Sequence, residues 1–139
     1  MIQVLICTHE RMAKGIKKTV EFIMGSQPNL HEVSAYTEEH PNHKEEVENI
    51  LLKYANEPVV VFTDIIGGSV NTELTQMTVN YPNLHIISGV NLPMVIQILL
   101  SNESNLEATI EKTIAEGKNG IQYVNRSLNG KESELEDDF

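Results

Sequence analysis

Residues 58–69 read PVVVFTDIIGGS. A run of β-branched and aromatic side chains follows Pro58 and stops at Thr63-Asp64. A glycine pair and a serine come next. They precede a stretch in which Val70, Leu74 and Met77 recur at helical spacing. A strand this uniformly apolar is buried on both faces, as strands of parallel sheets are. A parallel sheet in turn requires helical crossovers on either side.

The flanking sequence supplies them. Residues 2–7 (IQVLIC) predict a buried strand, followed by a helix that turns Met12, Ile16, Val20 and Ile23 inward and stops at Gly25. HEVSAY (31–36) predicts a weaker strand. HKEEVENILLKYAN then sets Val47, Ile50, Leu51 and Tyr54 on one helical face. LHIIS (84–88) is a fourth strand, and MVIQILL an apolar helix with Pro93 in its first turn. Leu106, Ile110 and Ile114 mark a further helix, and GIQYV (120–124) a last short strand. Strands alternating with helices predict a three-layer α/β/α fold with a mostly parallel, doubly wound sheet.

The 139 residues suit one domain, read as 1–127, followed by an acidic tail at 128–139 expected to be disordered. Half of the formal net charge of −10 resides in the last eight residues, ESELEDDF. The acidic balance argues against sequence-independent nucleic-acid binding. With 40% apolar and 5% aromatic residues, and no Trp, the core is expected to be aliphatic. The single cysteine, Cys7, excludes a disulfide framework and fits a reducing compartment. Met1 leads directly into the first strand, and no apolar run reaches the roughly 18 residues of a membrane helix. A cytoplasmic protein with no membrane insertion is therefore expected.

The chemistry collects at the strand ends. Ligands of open α/β sheets bind outside the carboxyl ends of the strands, where the strand order reverses. In a flavodoxin-like order, 2-1-3-4, that point lies between strands one and three. Strand one ends in Thr8-His9-Glu10, strand three in Thr63-Asp64 and strand four in Ser88-Gly89-Val90-Asn91. His9 is then expected to face Asp64. A carboxylate that accepts Nδ1–H fixes the imidazole tautomer and leaves Nε2 free to attack. The Gly67-Gly68-Ser69 turn, with Ser69 as helix cap, offers amide groups and a hydroxyl to a phosphate. Taken alone, a histidine at a strand end is commonly a hydrogen-bonded structural residue, and an Asp before glycines commonly forms a turn. His40 and His43 lie in a polar loop without cysteine partners, and His31 and His85 at the wrong ends of their strands. Arg11, Lys14, Lys17 and Lys18 form either a solvated helix face or a phosphate-attracting patch beside His9.

CTHERMAKGI, FTDIIGGSVN and SGVNLPM together resemble the three signatures of the mannose-type enzyme IIA family of the bacterial phosphoenolpyruvate-dependent sugar phosphotransferase system. The resemblance spans about residues 1–125. It implies that His9 is the phosphorylated histidine, Asp64 the carboxylate that hydrogen-bonds it, and Ser69 a hydroxyl near the phosphoryl group. Thr8, Gly67, Gly68 and Ser69 complete the expected phosphoryl-binding set. It implies a cytoplasmic phosphocarrier that takes a phosphoryl group from the carrier HPr and gives it to a IIB component, and through it to the membrane IIC/IID permease. It also implies a homodimer in which a C-terminal strand, here GIQYV, is exchanged. The chain departs from the family pattern at Glu10, where glycine is usual, and at Val70, where proline is usual.

No GxxxxGK[ST] loop is present, so ATP is not the expected donor. No acidic pair suggests magnesium. Neither a cofactor nor a metal is expected. Three other readings share the fold class: a response-regulator receiver phosphorylated on Asp64, a IIA-like regulatory domain, and the phosphocarrier subunit of a dihydroxyacetone kinase. The receiver needs an acidic pair after strand one and a lysine after strand five. The chain has only Glu10 at the first place and Asn125-Arg126 at the second. Regulatory domains usually sit within longer chains, and GVNLPM fits the sugar system better than the kinase.

Overall fold

The computed structural model describes residues 1–102 and 104–128. The elements run β1 (Gln3–His9), α1 (Met12–Met24), β2 (Leu30–Ala35), α2 (His43–Lys53), β3 (Val59–Thr63), α3 (Ser69–Met77), β4 (Leu84–Ser88), α4 (Leu92–Leu100) and α5 (Leu106–Asn119). Among the described residues the sheet has four strands, all parallel, in the order β2-β1-β3-β4.

Alternation along each strand divides the core into two layers. Val4, Ile6, Val60, Phe62 and Ile87 face α1 and α4, where Ala13, Val20, Met94, Val95 and Ile98 meet them. Leu5, Cys7, Val33, Val59 and Val61 face α2 and α3, meeting Val47, Leu51, Val70, Leu74 and Met77. The β1-to-β2 crossover thus lies on one face and the next two on the other. Right-handed crossovers demand this where the direction of strand addition reverses. The reversal separates β1 from β3 and opens the crevice at their carboxyl ends.

Helix α1 is turned slightly from the expected face. Ala13 and Val20 are buried and Ile16 and Met24 half-buried, while Met12 and Ile23 are exposed. Two apolar stripes share this helix, and contact with β2 and α4 selects the one centred on Ala13 and Val20. SGVNLPM does structural work. The N–H groups of Gly89 and Val90 both donate to Thr63 O at 3.1 Å. Asn91 Oδ1 caps α4 through the Met94 N–H, while its Nδ2 donates to Gly117 O of α5 at 2.9 Å.

Residues 120–124, expected as a fifth strand, do not form one in the single chain. Residues 121–123 lack regular structure and 124–128 make one short helical turn. A strand needs an edge to pair with. Here α5 instead ends against α4, so close that a Cβ on Gly120 would lie 2.7 Å from Pro93 Cγ. The acidic tail read from 128–139 lies, apart from Leu128, outside the described residues.

Candidate functional site

His9 is the last residue of β1, and Asp64 follows β3 directly. β1 and β3 are adjacent, with Cys7 opposite Thr63, so both side chains reach the same crevice. Two hydrogen bonds lock them. The His9 backbone N–H donates to Asp64 Oδ2 at 2.9 Å, and His9 Nδ1 lies 2.8 Å from the same oxygen. Asp64 Oδ1 accepts from the Ile65 N–H at 3.0 Å. Burial by itself would raise the Asp64 carboxyl. The hydrogen bonds from the His9 backbone and ring, with the ring's charge, outweigh it and hold the group below its ordinary value. An ionised carboxylate only accepts, so Nδ1 carries a proton, and in the neutral ring Nε2 then holds the lone pair. Nε2 lies 3.2 Å from Ser69 Oγ, and the ring is 38% exposed. A nucleophilic nitrogen is thus presented to solvent at the crevice.

The turn after Asp64 is built for close approach. Gly67 has φ +76°, and a Cβ on Gly68 would stand 3.2 Å from His9 Cε1 and 2.9 Å from Ile65 Cγ2. Gly68, not Ser69, caps α3, and Ser69 is the first helical residue. Its hydroxyl is spent on the site rather than on the helix end. The Thr8 side chain, expected among the phosphoryl ligands, is fully buried, and its Oγ1 accepts from the Ala13 N–H at 2.8 Å. Thr8 braces the start of α1, because alternation along β1 turns it away from the crevice that His9 faces.

Glu10 has φ 54°, a backbone region where glycine is at ease and other residues are strained. Its side chain is 72% exposed and pairs with Arg11 at 3.7 Å, pointing to solvent. Arg11 also meets Glu39 at 3.4 Å, so this cation of the α1 basic group is engaged.

Sequence reading missed the contribution of β2. Tyr36 directly follows it, and its ring stacks on His9 at 5.6 Å between centroids. Its phenol oxygen is 2.8 Å from Ser69 Oγ. Glu73, one helical turn beyond Ser69, lies 3.5 Å from the Tyr36 phenol and binds His43 Nε2 at 2.7 Å. The available signal was the strand order itself, since β2 beside β1 brings the residue after Ala35 alongside His9. Ser88 and Asn91 stay with the β4–α4 junction. His31 is engaged by Gln3 Oε1 at 2.9 Å, and His40 by Glu46 at 2.9 Å and Glu32 at 3.4 Å. Among the described residues no helix is long and apolar enough to cross a membrane.

Known proteins share this fold. A family model described as the PTS system fructose IIA component matches residues 3–114. The PTS system mannose-specific EIIAB component of Escherichia coli K12 is 24% identical over 133 residues, covering 88% of this chain and 39% of that protein. The chain therefore spans about two-fifths of the length of the curated relatives it matches. A crystal structure from Klebsiella pneumoniae, of a protein assigned as a phosphoenolpyruvate-dependent sugar phosphotransferase system permease, matches with a TM-score of 0.82 at 35% identity, covering 91% of this chain and 93% of that one. The mannose/sorbose-specific IIA subunit from Enterococcus faecalis matches with a TM-score of 0.77 at 23% identity, over 86% and 92% of the two chains. At that identity the likeness concerns the fold alone.

Proposed function

The chain belongs to the family of PTS fructose IIA components, the mannose type, and on that premise we propose that it is a histidine phosphocarrier that receives a phosphoryl group from phospho-HPr on His9 Nε2 and passes it to a IIB component. The observation that carries this reading is the 2.8 Å contact of Asp64 Oδ2 with His9 Nδ1, which leaves Nε2 as the free nucleophile.

The transfer balances without a cofactor. The Nε2 lone pair attacks phosphorus in line, and the P–N bond of the donor breaks with its electron pair going to the donor nitrogen. The donor ring passes from cationic to neutral, and His9 from neutral to cationic. Asp64 stabilises that new charge through Nδ1–H. Ser69 Oγ, 3.2 Å from Nε2, and the N-terminus of α3 that it opens would offer donors to the phosphoryl oxygens. Positioning and electrostatics do the rest. Delivery from IIB to a sugar through the IIC/IID permease completes the route.

The receiver reading has less support, because Asp64 is largely buried and both its oxygens are engaged. A homodimer is part of the proposal: Ile121, Tyr123, Val124 and Leu128 are exposed in the single chain, an apolar set that a second copy would cover.

The test is labelling with phosphoenolpyruvate, enzyme I and HPr. The wild-type protein acquires one acid-labile, base-stable phosphoryl group, and His9→Ala acquires none. Label that survives His9→Ala, or that proves acid-stable and base-labile, would overturn the assignment.

A further inference from the structure

Tyr36 belongs to none of the three motifs, yet it meets four side chains around the site: His9, Ser69, His43 and Glu73. Its ring lies between two imidazoles, stacked on His9 at 5.6 Å and tilted against His43 at 5.0 Å. Its backbone has φ 63°, a region that a bulky residue occupies only when the surroundings hold it there. Strain of this kind gathers at functional sites, and here it sits one residue past the strand partner of His9.

The hydrogen bonds around the phenol have a direction that follows from counting protons. In the neutral ring that can attack phosphorus, Nδ1–H of His9 is committed to Asp64, so Nε2 can only accept. Ser69 Oγ, 3.2 Å away, must therefore donate to it. Ser69 then has only lone pairs left for Tyr36, so the phenol O–H at 2.8 Å donates to Ser69. Glu73 Oε1, at 3.5 Å from the phenol, is the weaker competitor for the same proton. His43 holds the other carboxylate oxygen at 2.7 Å. One phenol proton thus backs the Ser69 oxygen while the Ser69 proton points toward Nε2.

We propose that Tyr36 is a positioning residue for phosphoryl transfer, whose phenol O–H holds the Ser69 hydroxyl as a donor toward Nε2 and, after transfer, toward the phosphoryl oxygens. The inference rests on His9 being the phosphoryl acceptor. When phosphorus bonds to Nε2, the Ser69 proton loses that acceptor and passes its hydrogen bond to a phosphoryl oxygen. Tyr36, still donating to Ser69, keeps the hydroxyl on that side. Without the phenol O–H the Ser69 oxygen loses the donor behind it, and its own proton is held less firmly toward the charge it must meet.

Tyr36→Phe tests this, because it keeps the ring stacked on His9 and removes one proton and one oxygen. The expected result is a five- to tenfold slower transfer from phospho-HPr, the size of one oriented hydrogen bond. The His9 Nε2 nitrogen resonance should move downfield, as when a ring nitrogen loses a donor. In a Ser69→Ala background, Tyr36→Phe should cost nothing further, since Tyr36 acts through Ser69. An unchanged rate and resonance in Tyr36→Phe, or an equal loss with and without Ser69, would sink the proposal while leaving His9 as the acceptor. Wild-type protein that fails to label on His9 would instead remove the reading on which it rests.

Discussion

Two histidine–carboxylate pairs in this molecule have almost the same length and opposite consequences. His9 meets Asp64 at 2.8 Å and His40 meets Glu46 at 2.9 Å. His40 has carboxylates at both nitrogens, with Glu32 3.4 Å from Nε2, and its side chain is 16% exposed. His9 has a carboxylate at one nitrogen only, a hydroxyl at the other, and an open ring. A paired histidine is therefore not yet a nucleophile. The second nitrogen must be left an acceptor and reachable. At His40, Nδ1 ties the turn after β2 to α2 and Nε2 ties it back to β2.

The largest break between the pairs should come from removing the carboxylates. Asp64→Asn keeps the shape but can hold the opposite tautomer and cannot stabilise the imidazolium, so transfer should fall by about 100-fold or more. Glu46→Gln should change it less than about twofold. Single-turnover transfer from labelled HPr measures both, and equal effects would abolish the distinction.

Acid should separate the pairs next. Asp64 titrates below its unfolded value, so its contribution to stability is full above the unfolded value of about 4 and fades as pH falls through the folded one. Denaturant unfolding should show wild type more stable than Asp64→Asn near neutral pH, with the gap closing below about pH 4. A gap independent of pH would show that the contribution is not electrostatic.

The smallest effect concerns the strained residue beside His9. Glu10→Gly should relieve the φ of 54° and add about 1 kcal/mol, or roughly 3–5 °C in Tm. Because the Glu10 side chain points to solvent, transfer should stay within about twofold of wild type. Thermal unfolding and transfer assays on one preparation check both halves.

Much of this is legible in the sequence. PVVVFTD marked a strand buried on both faces, and the alternation of elements then implied the parallel order that sets His9 opposite Asp64. The face of α1 was less legible, since Met12 and Ile23 lie at the same helical spacing as the residues that are buried. Ser69 looked like a cap because serine often is one; its hydroxyl is instead drawn to Nε2 and Tyr36. GIQYV has strand composition, but α5 ends against α4 and, among the described residues, the segment pairs with no strand of its own chain.

The sequence by itself determined the alternation of strands and helices through α5, the order of the parallel sheet and the placing of His9 beside Asp64. Each depends on patterning within one segment or on the few topologies that right-handed crossovers permit. Only the tertiary structure decided that Tyr36, Ser69, Glu73 and His43 converge. They come from a strand end, two turns of one helix and the start of another, and their meeting depends on side-chain directions and register. Local periodicity records which residues must be buried, whereas polar side chains at a crevice leave no periodic trace until the backbone brings them within hydrogen-bonding distance.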